Sequence, residues 1–127
     1  MGDFKKLEVW QTAHELALEI YRATASFPRS EAYGLTSQMR RSAGSIAANI
    51  AEGCGRNTDG ELARFARISL GSAAELESHL LLASDLNFLD PTTTTRLATH
   101  LRRIQKMLGR LLTVVRQSSR PRPIADS

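Results

Sequence analysis

LTSQMRRSAGSIAANIAEG, residues 35–53, is the stretch whose reading decides the fold. Leu35, Met39, Ala43, Ile46 and Ile50 recur in it at four- and three-residue steps, the spacing that lines one face of an α-helix with apolar side chains. That stripe has to be buried. One position earlier at most steps runs a second stripe, Gln38, Ser42, Ser45, Asn49 and Glu52, with Arg41 on its flank. It is polar but made mostly of short groups, unlike the Lys- and Glu-rich face of an ordinary solvated helix. Ala43, Gly44, Ala47, Ala48 and Ala51 fill most of the remainder, so other backbones can approach from more than one side. A helix with so little bulk suits the middle of an assembly.

The 127 residues fit one domain whose core needs no disulfide or metal staple. The lone Cys54 excludes an intrachain disulfide, and no Cys/His spacing offers a metal site. Neither a signal peptide nor a membrane-length apolar run is present, which predicts a cytoplasmic protein. Charge is uneven. The first 90 residues carry a slight excess of acid, whereas Arg96, Arg102, Arg103, Lys106, Arg110, Arg116, Arg120 and Arg122 follow with only Asp126 to oppose them, so the net +4 resides at the C-terminal end.

Working outward, a first helix is expected over about 5–26, with Trp10, Ala13, Ala17, Ile20, Thr24 and Phe27 turned inward and Pro28 as its stop. Ser30 can cap a short turn, and Gly34 marks a bend before the central helix. That helix, 35–53, ends where Gly53 can close the last turn in the left-handed conformation. Thr58 with Glu61 is a capping box that opens a third helix, 58–87, with Phe65, Ser69, Ser72, Leu76, Leu80 and Ala83 facing in. Gly71 inside it implies a closely approaching neighbour. Asp90 caps and Pro91 opens a fourth helix, 91–117, whose seam is Leu97, Leu101, Ile104, Leu108, Leu111 and Val115. Residues 118–127, Ser-, Arg- and Pro-rich, read as a disordered tail. Four amphipathic helices with short links predict an all-α, antiparallel up-down-up-down four-helix bundle.

The sequence also resembles a known family, the 23S rRNA intervening-sequence proteins, to which accessory proteins of diversity-generating retroelements are related. The resemblance covers residues 4 to about 89. It is carried by Val9-Trp10, Phe27-Pro28, Glu31, Tyr33-Gly34-Leu35, Gln38, Arg40-Arg41, Ser45-Ile46, Asn49-Ile50-Ala51-Glu52-Gly53, Gly55-Arg56, Phe65, Ile68, Gly71-Ser72 and Glu75-Leu76. It implies a bundle that assembles into a homopentamer. For the retroelement branch it implies association with nucleic acid and a reverse transcriptase. The small polar stripe supports self-assembly independently, since a lone bundle would not require it.

Antiparallel pairing of the second and third helices about a 54–57 turn places Gln38 and Arg41 opposite residues 69–75, and Asn49 and Glu52 opposite 59–64. Two polar layers follow: Glu75 with Arg41, Gln38 and Ser72, and Glu52 with Asn49 and Arg64. A carboxylate beside an apolar seam must be paired or protonated. The layers can fix helix register or subunit contacts; alternatively they serve an enzyme or a small-ligand site through Glu75 and Arg41. Inward Glu-x-x-His pairs of the di-iron type are missing, as are a nucleophile setting and a Walker-type loop, so no cofactor, metal or catalytic residue is expected. Gly53-Cys54-Gly55-Arg56 before a helix N-terminus reads as an anion cradle or a plain turn.

On the fourth helix Arg96, Arg103, Lys106 and Arg110 share a stripe, with Arg102 and Arg116 to the side. A stripe without acid is suited to the phosphates of RNA or DNA, with salt-sensitive and sequence-tolerant contact. Its other readings are solubility or an acidic protein partner. The expectation is a non-enzymatic, self-assembling scaffold or adaptor that binds nucleic acid through this helix.

Overall fold

Helix boundaries follow from local chemistry. Asp3 caps a short 3-10 turn, Phe4–Lys6, by accepting from the Lys5 N–H at 3.0 Å, and an extended Leu7 separates it from α1, Glu8–Thr24. The first helix is therefore broken near its start rather than continuous from residue 5. In this computed structural model, which describes residues 2–118, α2 runs Leu35–Cys54, α3 Asp59–Asp85 and α4 Pro91–Ser118. The expected tail lies outside the described residues apart from Ser118, the last residue of α4.

Between α1 and α2, Arg29–Glu31 forms a second 3-10 turn with no side-chain cap. Glu31, not Ser30, makes the stabilising contact, its Oε1 accepting from the Leu35 N–H at 3.1 Å. Thr58 caps α3 by accepting from the Glu61 N–H at 3.1 Å. At the far end of α3, Asn87 stands in the left-handed region (φ 63°), and the N–H groups of Asn87 and Phe88 return to the Ser84 and Ala83 carbonyls. That pair of bonds is a Schellman closure.

Asp90 caps α4, its Oδ1 accepting from the Thr93 N–H at 2.7 Å and its Oδ2 from the Thr93 hydroxyl at 3.0 Å. These bonds, the backbone one foremost, hold its carboxyl below the usual carboxylate range. A depressed folded-state pKa stabilises above the unfolded value of ~3.9 and is lost as pH falls through the folded one. Asp90→Asn, which cannot ionise, is accordingly expected to lower the neutral plateau of a pH–stability curve and flatten its acid limb, the two proteins converging at low pH. Thermal melts across the acid range check it.

Each helix packs on its sequence neighbours and α4 returns to α1, with α2 and α3 in the most extensive contact. Directions follow from individual pairs. The Ser45 and Ser72 hydroxyls meet at 2.8 Å, Ser69 Oγ donates to the Ile46 carbonyl at 2.9 Å, and Gly53 abuts Leu62 and Phe65. Likewise Arg103 of α4 reaches Glu8 of α1, and Arg96 reaches Glu19. Both pairs of helices are antiparallel, as the up-down-up-down order requires.

Leu16, Ile20, Met39, Ile46, Ile50, Leu76, Leu80, Leu97, Leu101, Ile104 and Leu108 form the fully buried core. Each such side chain contributes ~1.5–3 kcal/mol on burial. On α4 the expected seam is buried throughout except Leu111, which is partly covered. On α1 the inward face is Val9, Ala13, Leu16 and Ile20. Trp10, expected inside, is half-buried at the edge, edge-on to Phe4 and stacked on His14 at 4.8 Å.

Two glycines differ from expectation. Gly53 is not left-handed, since none of the described glycines has positive φ. It is buried inside α2, where a Cβ would stand 3.0 Å from Phe65 Cβ and 3.3 Å from Leu62 Cδ1. Gly71, expected to admit a neighbour, is exposed, and a Cβ there would meet nothing within 4 Å. Gly53→Ala gains up to ~1 kcal/mol of helix propensity but overpacks against a Cβ tied to backbone, a cost of ~1–3 kcal/mol. We expect a net loss of about 1 kcal/mol for Gly53→Ala and a gain of about 0.5–1 kcal/mol for Gly71→Ala. Chemical denaturation of the two variants side by side checks the contrast.

Candidate functional site

Two polar surfaces emerge from this packing. The first is the outer seam between α2 and α3. Half-buried Ser45 and Ser72 share a hydrogen bond, and Asn49 Nδ2 donates to the Ser45 carbonyl at 2.8 Å and its hydroxyl at 2.9 Å. A third hydroxyl, on buried Ser42, is satisfied within its own helix by the Met39 carbonyl at 3.2 Å. On α3 Ile68, one turn before Ser72, is 40% exposed, and farther along Leu82 and Leu86, the latter closing the helix end, are 49% and 48% exposed. Those three recur at helical spacing with Glu75 and His79 between them, so they stand on one side of α3.

The two expected polar layers do not assemble. Ser72 meets Ser45 instead of Glu75, while Arg41 and Gln38 make no side-chain hydrogen bond or ion pair among the described residues. Glu75 keeps 43% of its side chain exposed, and its nearest base is His79, whose Nε2 lies 4.0 Å away, buried and without a hydrogen-bond partner. In the other layer Asn49 joins the serines. Glu52 pairs instead with Arg56 at 2.7 Å, and Arg64 with Glu61 at 3.2 Å while lying over the Phe65 ring. The cause is register. Docking of Gly53 against Leu62 and Phe65 displaces α3 from the expected pairing by roughly one to two turns of helix.

The second surface is the edge of α4 that faces α1. Arg96, Arg102, Arg103, Lys106, Arg110 and Arg116 are all exposed, but they do not form one uninterrupted stripe. Arg96 is paired with Glu19, which also receives His100 Nδ1 at 2.7 Å. Arg103 Nη2 donates to Glu8 Oε1 at 2.5 Å. Arg102, Arg103, Lys106 and Arg110 gather with Glu8 and Thr99 around a groove of about 300 Å³. Arg102 thus belongs to the cluster, and Arg96 lines a separate cleft of about 560 Å³ with Glu15, Glu19, Arg22 and Thr93.

Arg102, Lys106 and Arg110 have no ion-pair partner among the described residues. The α1 carboxylates are what a view of α4 alone omits. Glu8, Glu15 and Glu19 recur at seven- and four-residue spacing, a signal for an acidic face complementary to α4.

Burial, the largest influence, holds His100 below the ordinary imidazole range, against the Thr12 backbone and the Glu15 charge, which pull it up. A neutral ring that donates its Nδ1–H to Glu19 satisfies both the burial and the 2.7 Å contact. Cys54 is buried, and burial pushes its thiol up, which makes it a poor nucleophile. At the α2–α3 link, Gly53 and Cys54 are helical, and the first turn of α3 carries Asp59 and Glu61. Those acids oppose an anion there, Arg56 is paired with Glu52, and the stretch is the end of α2 followed by a short turn. Among the described residues no three His, Cys, Asp or Glu side chains gather as a metal site, and no helix is long and apolar enough to cross a membrane.

Residues 5–110 match the family model described as 23S rRNA-intervening sequence protein. A crystal structure of a protein with unknown function from the S23 ribosomal protein family of Bacteroides thetaiotaomicron VPI-5482 superposes with a TM-score of 0.74 at 22% identity. The match covers 82% of this chain and 97% of that one, and it shows a shared fold. No functionally curated protein matches the chain.

Proposed function

The chain belongs to the 23S rRNA-intervening sequence protein family, and from that premise we propose that it is a non-enzymatic scaffold or adaptor. In this reading it assembles with copies of itself, as a homopentamer, through the outer α2–α3 seam, and it meets nucleic-acid phosphates along α4. The observation that carries the assembly is the seam. Ser45, Asn49 and Ser72 are half-buried and bonded to one another, beside apolar side chains left between 40% and 49% exposed. Exposed apolar side chains on the side of a helix that also carries short, mutually bonded polar groups are the composition of a protein–protein contact. Short hydroxyl and amide groups let a second backbone come near, and Gly71, with open space around it, adds to that flatness.

Support for the nucleic-acid half is the cluster Arg102, Lys106 and Arg110. Four-residue spacing sets them ~6 Å apart along the helix axis, and none is neutralised by a carboxylate among the described residues. Stacking platforms are not part of this surface, so affinity would come from phosphates and would fall with salt. In a ring the cluster recurs in every subunit, and weak contacts multiply. Light scattering on the purified chain, with and without nuclease treatment, tests both halves together. An assembled particle that carries nucleic acid at low salt and sheds it at high salt fits the proposal; a monomer free of nucleic acid does not.

A further inference from the structure

The two ion pairs that α1 makes with α4 are not equivalent, and their difference has a functional consequence. Glu19 has only 21% of its side chain exposed and is held by Arg96 and His100 together. Arg96 is thereby committed to the fold. Among the described residues Glu8 is held by Arg103 alone, at 2.5 Å, with 68% of the Glu8 side chain and 60% of the Arg103 side chain open to water. Exposed pairs of this kind contribute little to stability and exchange partners readily. Glu8 also lies inside the α4 groove, among Arg102, Arg103, Lys106 and Arg110, where a phosphate would have to sit.

We propose that Glu8 is a built-in competitor for the phosphate groups of nucleic acid, its carboxylate occupying Arg103 until a phosphate displaces it. This rests on the reading of α4 given above and adds to it a residue that sets affinity. Arg103 offers a planar fork matched to a phosphate as well as to a carboxylate. Release of Glu8 extends the free cations from Arg102, Lys106 and Arg110 to four, along ~12 Å of helix, the rise of three to four nucleotides of one strand. Glu8 swings into solvent, which its exposure allows. Affinity is therefore held below what the four cations could give, and one carboxylate sets that ceiling.

The test is binding of a labelled single-stranded oligothymidylate to the assembled full-length protein over a salt series. Glu8→Gln is expected to tighten binding about 3- to 10-fold at low salt and to steepen the log–log salt slope by about 0.7, one further counterion released. Glu15→Gln, which changes net charge equally but lines the other cleft, should leave both unchanged. Arg103→Gln placed on Glu8→Gln should erase the steeper slope. Equal tightening by Glu8→Gln and Glu15→Gln would reduce the effect to net charge and overturn the proposal. An unchanged Glu8→Gln, with binding still abolished by reversal of Arg102, Lys106 and Arg110, would overturn it while leaving the α4 reading intact. Lack of binding by both wild type and Glu8→Gln at low salt would remove the two together.

Discussion

Replacing Ile68 and Leu82 together by arginine is expected to turn the assembled protein into folded monomers. Both side chains are more than a third exposed in the protomer, so a guanidinium can reach water there while its methylene stem keeps the existing packing. Stability of the fold should shift by no more than ~1 kcal/mol, the range of surface changes. At a subunit contact the same change is severe. It removes two apolar anchors, each worth about 2 kcal/mol or more if they are hot spots, and buries unpaired charge. The self-association constant should weaken at least ~100-fold. Sedimentation velocity, with circular dichroism to confirm retained helix, reads both effects. A variant that stays assembled would move the contact away from the α2–α3 seam.

Reversal of Arg102, Lys106 and Arg110 to glutamate should abolish retention on a phosphate polymer. Three phosphate contacts account for a log–log salt slope of about −2 on single strands, and all three vanish. At low salt the loss is expected to exceed ~100-fold, because three repulsive charges replace three attractive ones. Reversal of Arg22, Arg29 and Arg67, which are exposed elsewhere, alters net charge by the same amount and should weaken binding far less. Equal losses in both variants would mean that retention follows overall charge and not the groove.

What the sequence disclosed depended on how far each feature is local. The α4 seam was legible because a capped start and an unbroken apolar period admit one face, and Leu97, Leu101, Ile104 and Leu108 are each at most 1% exposed. The Asp90 and Thr58 caps were legible for the same reason. On α1, Val9 and Leu16 compete with Trp10 and Ala17 for the inward side. The choice falls to packing, and the tryptophan is satisfied instead at an edge by Phe4 and His14. The polar layers required the offset between α2 and α3. That offset is set by Gly53 lying against Phe65 and Leu62, a tertiary contact with no periodic signature.

The α4 cations were visible one helix at a time, whereas their neutralisation was not. Arg96 and Arg103 look free until α1 is laid against them and Glu19 and Glu8 arrive. Arg102, set to one side of the stripe by helical spacing alone, joins the groove because that groove is shaped by α1 as well as α4. Glu75 is parted from Arg41 in a similar way. Identical helical faces acquire different neighbours when the partner helix slides by roughly one to two turns.

Native mass spectrometry of the untagged wild-type chain at micromolar concentration measures the collective architecture without intermediaries. The expected spectrum is dominated by five copies of the 14.0 kDa chain, and it collapses to single copies in the Ile68→Arg, Leu82→Arg variant. A wild-type spectrum dominated by the single chain would contradict a homopentamer, because the α2–α3 seam would then face water in the working protein.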